Sequence, residues 1–130
     1  MIRYPTILCI DDDAIALVLR ESVLQSAGYA VVTAVSAERS LQIFKTQHID
    51  LVITDHIPGD KHGTFLSDNL RSLSTDVPIL LLYGGNVFPD PDSPPNYSLH
   101  KLEGPAKLIA KVRSMLPRRR KAAMKHIRSN

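Results

Sequence analysis

The stretch Leu51-Val52-Ile53-Thr54-Asp55 constrains this chain more than any other. It is a short β-prone run without polar alternation, the pattern of a strand covered on both faces. It stops at a carboxylate and gives way to His56-Ile57-Pro58-Gly59-Asp60, a Pro/Gly turn. A strand covered on both faces belongs to an α/β sheet with helices on either side. Ligand groups of such sheets gather at the carboxyl ends of the strands, where Asp55 stands. Most strand-end aspartates merely begin a turn; the neighbours decide which kind this is.

The rest of the chain repeats the pattern. Thr6-Ile7-Leu8-Cys9-Ile10 reads as a first strand and ends at Asp11-Asp12-Asp13. From Ala14 to Ala27, Ile15, Val18, Leu19 and Val23 recur at helical spacing, and Gly28 is a natural helix stop. Ala30 to Val35 is a second strand. Ser36 can cap a helix running to about Gln47, with Leu41 and Phe44 facing inward. After the third strand and Gly63, Phe65, Leu66, Leu70 and Leu73 predict a helix over Thr64 to Leu73. Val77 to Tyr83 reads as a fourth strand, with Pro78 tolerable only at its start. Tyr97 to Lys101 is a short fifth strand. Gly104-Pro105 opens a last helix whose apolar face is Leu108, Ile109, Val112, Met115 and Leu116. Continuous apolar strands alternating with helices predict a parallel sheet.

The rhythm breaks once. Between the fourth and fifth strands, Pro89, Pro91, Pro94 and Pro95 stand where a helix is due, and proline at that density forbids one. A loop is expected over residues 84–96, with Val87 and Phe88 covering what the helix would have covered.

The formal charge of +3 conceals an asymmetry. Six of the sixteen basic residues are Arg118, Arg119, Arg120, Lys121, Lys125 and Arg128; without them ten bases face thirteen acids. The chain therefore divides into a mildly acidic domain, residues 1–117, and a basic tail, residues 118–130. The tail reads as a solvated terminus, with contact to nucleic acid the weaker alternative. No apolar run approaches the ~20 residues that span a bilayer, and no signal peptide precedes the first strand. A lone Cys9 inside an apolar run is expected to be a buried small hydrophobe in a reducing cytoplasm.

In a doubly wound sheet the first and third strands are neighbours, so Asp11, Asp12 and Asp13 converge with Asp55. Unit charges ~4 Å apart repel by about 4 kcal/mol at an effective dielectric near 20. Crowded carboxylates therefore ask for a cation. One aspartate suffices to cap the following helix, and three exceed that need. Mg²⁺ suits a site with few carboxylates, several waters and a phosphate yet to arrive. Lys101 leaves the fifth strand toward the same edge.

These residues, in this order, resemble the receiver domain of two-component response regulators. The resemblance rests on the acidic pair Asp11-Asp12 after the first strand and on Leu51-Val52-Ile53-Thr54-Asp55 with Gly63 eight residues on. It rests also on Val77-Pro78-Ile79-Leu80-Leu81-Leu82 with the small Gly84, and on Lys101 after the fifth strand. It covers roughly residues 4–116. It implies a flavodoxin- or CheY-like five-stranded parallel sheet of order 2-1-3-4-5. It implies that Asp55 accepts a phosphoryl group from a sensor histidine kinase. Mg²⁺ would be held by Asp11, Asp12, Asp55 and the main-chain carbonyl of Ile57. Lys101 and Gly84 would contact the phosphoryl group.

The chain departs from the family's pattern in five places. Tyr83 stands where the family has Thr or Ser, and Ser98 where it has its aromatic switch residue, so size and hydroxyl look exchanged. Leu102 replaces the proline after the lysine, implying a trans bond and a shifted lysine. Pro58 follows the acceptor by three residues instead of four. The helix before the fifth strand looks replaced by the Pro-rich loop. Because that helix builds the family's usual dimerisation and output face, dimerisation there is not expected. The chain thus reads as a stand-alone, cytoplasmic, phosphorylatable receiver that is no turnover enzyme, with a histidine kinase (a phytochrome-type kinase is one candidate) and a downstream phosphotransfer or effector protein as partners. The alternative is a receiver-like interaction module with a degenerate switch that works without phosphorylation. A third reading, a haloacid-dehalogenase-type phosphatase suggested loosely by Asp11-Asp12-Asp13, lacks the chain length and cap domain of that family.

Overall fold

A computed structural model describes residues 4–55, 76–84 and 97–116. Its elements are β1 (Thr6–Ile10), α1 (Ala14–Ser26), β2 (Ala30–Ala34), α2 (Ala37–Thr46), β3 (Leu51–Asp55), β4 (Ile79–Tyr83), β5 (Tyr97–His100) and α3 (Gly104–Met115), with a 3-10 turn at Lys101–Glu103. The strands form one five-stranded sheet of order β2-β1-β3-β4-β5, every pair parallel. This is the doubly wound order expected from the sequence.

The two faces bury alternate residues of the same strands. On one, Ile7, Cys9, Leu51, Ile53, Leu80 and Leu82 pack with Leu17 and Leu24 of α1 and with Leu108, Val112 and Leu116 at α3. On the other, Leu8, Ile10, Val52 and Ile79 pack with Ile43 of α2 and with Ile49. Every residue of β3 is buried, as a central strand covered twice requires.

Local signals set the element ends. Ser36 Oγ accepts the Arg39 N–H at 3.1 Å and starts α2. Gly28, just past α1, holds φ +96°, a conformation costly for any side chain. β4 begins at Ile79 rather than Val77; Pro78 contributes only its carbonyl, which accepts the Val52 N–H at 3.0 Å.

Helix α1 corrects the apolar stripe drawn from sequence. Ile15, Val18 and Leu19 are exposed, and Leu17 and Leu24 are the residues that go inward. The helix is apolar on more than one side, so spacing alone cannot choose its inner face. Leu41 and Phe44 are half-buried against the second cluster. The predicted helix at 64–73, the Pro-rich segment from residue 85 to 96, Ile57, Pro58 and the basic tail lie outside the described residues.

Candidate functional site

β1 and β3 are hydrogen-bonded neighbours and run in the same direction, so their carboxyl ends deliver Asp11 and Asp55 to one edge. Asp11 N–H donates to the Ala34 carbonyl at 3.1 Å, which anchors Asp11 at the end of the β1–β2 ladder. Oxygens of Asp11, Asp12 and Asp55 lie within 4.8 Å of one another. Asp11 and Asp55 are buried and Asp12 is exposed.

The triple aspartate divides its labour. Asp13 is the N-cap of α1, its Oδ1 accepting from Ile15 N–H at 3.0 Å and Ala16 N–H at 3.3 Å. Asp11 and Asp12 are thereby left to the acid cluster.

Two cations meet these acids. Lys101, from the turn after β5, donates from Nζ to Asp55 Oδ2, and the same Nζ stands 3.9 Å from Asp11 Oδ2. Leu102 after the lysine therefore does not carry Lys101 out of reach of Asp55. The second cation, Arg20, is absent from the sequence reading. Its Nη1 donates to Asp11 Oδ2 at 3.2 Å, with the Arg20 side chain 10% and the Asp11 side chain 1% exposed. The signal for it was present. Arg20 lies three residues after Leu17 and four before Leu24, on the stripe that α1 turns inward.

Asp11 Oδ1 accepts the Asp13 N–H at 2.9 Å. Burial pushes the Asp11 carboxyl up. The Asp13 N–H, Lys101 and Arg20 outweigh that and hold it below the usual carboxylate range. Asp11 is thus ionised, and Asp11, Asp12 and Asp55 together form a set of oxygen donors that can chelate a divalent metal.

The other described residues singled out in the sequence lie on β4, just after it, and on β5. Gly84, directly after β4, is close enough to Lys101 that a Cβ on it would lie 3.5 Å from Lys101 Cδ. Tyr83 and Ser98 do not face each other as a pair. The register sets Tyr83 beside His100 and Leu81 beside Ser98. The Tyr83 and His100 rings meet edge to face, with centroids 5.0 Å apart. Ser98 is exposed. Tyr97, on the other face of β5, lies under Lys111 Nζ at 5.2 Å from the ring centroid.

Known proteins with this arrangement are numerous. The chain is 40% identical over 76 residues to the probable transcriptional regulator ycf27 of Porphyridium aerugineum, covering 58% of this chain and 31% of that protein. It is 29% identical over 82 residues to the autoinducer 1 sensor kinase/phosphatase LuxN of Vibrio campbellii, covering 63% of this chain and 10% of that one. The chain spans less than a third of the length of either relative. A crystal structure of a putative response regulator from Chloroflexus aurantiacus superposes with a TM-score of 0.78 at 31% identity, over 89% of this chain and all of that one. Residues 7–87, more than half of the chain, match the response regulator receiver domain. With the parallel 2-1-3-4-5 sheet and the carboxylates gathered at its edge, that match settles the family: this chain belongs to the response regulator receiver domains.

Proposed function

We propose that Asp55 is the phosphoryl acceptor, that Asp11 and Asp12 hold Mg²⁺ beside it, and that a histidine kinase supplies the phosphoryl group. The observation that carries this reading is the placement of Lys101 on Asp55 Oδ2, with Asp11 and Asp12 oxygens in the same cluster. Phosphoryl transfer is mostly positioning and charge neutralisation, and these residues supply both. Asp55 lends a carboxylate oxygen as nucleophile. A P–O bond forms to Asp55, the P–N bond of a phosphohistidine breaks, and the electron pair leaves with the imidazole. Lys101, already on the acceptor, can turn its ammonium to the incoming phosphoryl oxygens. Bound Mg²⁺ would neutralise the paired carboxylates and the phosphoryl charge. Gly84 leaves the approach beside Lys101 without a side chain.

A protein donor is favoured by the surface beside the site. Ile15, Val18 and Leu19 expose an apolar strip on α1, the helix that starts at the acid cluster. The kinase-type relative LuxN is consistent with such a donor. Tyr83 and His100 are the proposed reporters of phosphorylation, in place of the family's Thr and aromatic pair.

Incubation with a small acyl phosphate tests the reading. Phosphorylation that requires both Mg²⁺ and Asp55, and is lost in Asp55→Asn, is expected. Labelling retained in Asp55→Asn would refute the acceptor. Failure of every phosphodonor, a cognate kinase included, would favour the interaction-module alternative, which the exchanged Tyr83 and Ser98 positions still recommend.

A further inference from the structure

Asp11 is more heavily engaged than a waiting metal ligand needs to be. Oδ1 accepts from the Asp13 N–H, and Oδ2 accepts from Arg20 with Lys101 close by. Arg20 is itself nearly buried, although it also lines a groove of about 400 Å³ between α1, β5 and the start of α3. Among the described residues, two cations, Lys101 and Arg20, meet the three carboxylates. A guanidinium cannot lose its charge, so it remains in the site under all physiological conditions.

We propose that Arg20 is an internal counter-ion that contends with the divalent cation for Asp11 and so sets the metal affinity of the site. This rests on the reading of Asp11 and Asp12 as metal-holding residues. Arg20 acts through Asp11, as a positioning residue. Before metal arrives it fixes the carboxylate rotamer and compensates a buried charge that would otherwise stand largely against Lys101 alone. A divalent cation held by Asp11 would compete with the Arg20 guanidinium for that carboxylate and would bind more weakly than the carboxylates alone would allow. The cost falls on affinity; the gain is an acid cluster that stays ordered and folded when metal is scarce.

The test is calorimetric titration of the whole chain with Mg²⁺ alone, with melting curves in chelator and in Mg²⁺, for the native chain, Arg20→Met, Arg20→Lys and Asp12→Asn. Arg20→Met should melt lower in chelator, rise more on adding Mg²⁺, and bind Mg²⁺ about tenfold more tightly, the scale of one nearby charge in a partly screened site. Arg20→Lys should restore the native affinity, which a purely structural loss would not predict. Arg20→Gln keeps a donor for Asp11 without the charge; it carries the same forecast should Arg20→Met not fold. An unchanged Mg²⁺ affinity in the uncharged variants, with Asp12→Asn still abolishing binding, would overturn the role of Arg20 alone. Absence of Mg²⁺ binding in the native chain and in every variant would overturn the metal reading and this proposal with it.

Discussion

Asp11 shows how far one buried carboxylate can depend on its neighbours. Asp13 N–H, Lys101 and Arg20 keep it ionised against the cost of burial. A depressed folded value adds stability above the unfolded value of about 3.9, and that stability is lost as pH falls through the folded value. The urea midpoint of the native chain should therefore drop between about pH 5 and about pH 3 more steeply than that of Asp11→Asn. Equal slopes would show that Asp11 is not held down. Cys9 illustrates the opposite sign. Burial pushes its thiol up to about 12, so it stays protonated and inert in the folded chain. Its contribution is intact below the unfolded value of about 8.5 and is lost as pH rises beyond it. A thiol reagent should fail to label Cys9 near about pH 8 until the chain is unfolded.

At the scale of elements, α1 takes Asp13 as its cap and leaves Asp11 and Asp12 in the acid cluster. Asp13→Ala removes two cap hydrogen bonds and should cost about 1 kcal/mol of stability while leaving Mg²⁺ affinity unchanged. A loss of Mg²⁺ binding in that variant would mean the division of labour among the three aspartates is wrong. The same helix sorts its apolar residues. Leu24→Ala empties a fully buried site and should cost about 2–5 kcal/mol. Val18→Ser should change stability by less than about 0.5 kcal/mol, because Val18 is already in water. Chemical denaturation of the two variants checks both values. The sequence alone could not make that distinction. Ile15, Val18, Leu19 and Val23 share a helical stripe as good as that of Leu17 and Leu24, and only the seating of α1 on β1 and β2 chooses between them. Arg20 lies on the Leu17–Leu24 stripe, and that position becomes a signal only once this stripe is known to turn inward. The central strands were legible because runs buried on both faces leave no choice of side: β3 lies at Leu51–Asp55 as read, and β4 differs only at its proline-bearing start.

Over the whole molecule, the order of acidic strand ends carried more information than any single motif. Asp11-Asp12, Asp55 and Lys101 come from three separated stretches of the sequence, yet a parallel 2-1-3-4-5 sheet brings them to one edge. The match to the receiver family ends at residue 87, but Lys101 still reaches Asp55, because β5 pairs in parallel with β4 and delivers it there. What the sequence could not show was pairing between side chains: Tyr83 with His100 instead of Ser98, and Asp11 with Arg20. That the usual output helix is missing is an expectation from four prolines between β4 and β5, which lie outside the described residues.

A phosphoryl group taken up at this edge should reside on Asp55 and on no other carboxylate. Borohydride reduction of the chain after treatment with an acyl phosphate and Mg²⁺ converts a phosphorylated aspartate to homoserine, and peptide mass mapping then reads its position. Homoserine at position 55 alone, absent when Mg²⁺ is chelated, is the predicted result; homoserine at Asp11 or Asp12, or at none of them, would contradict it.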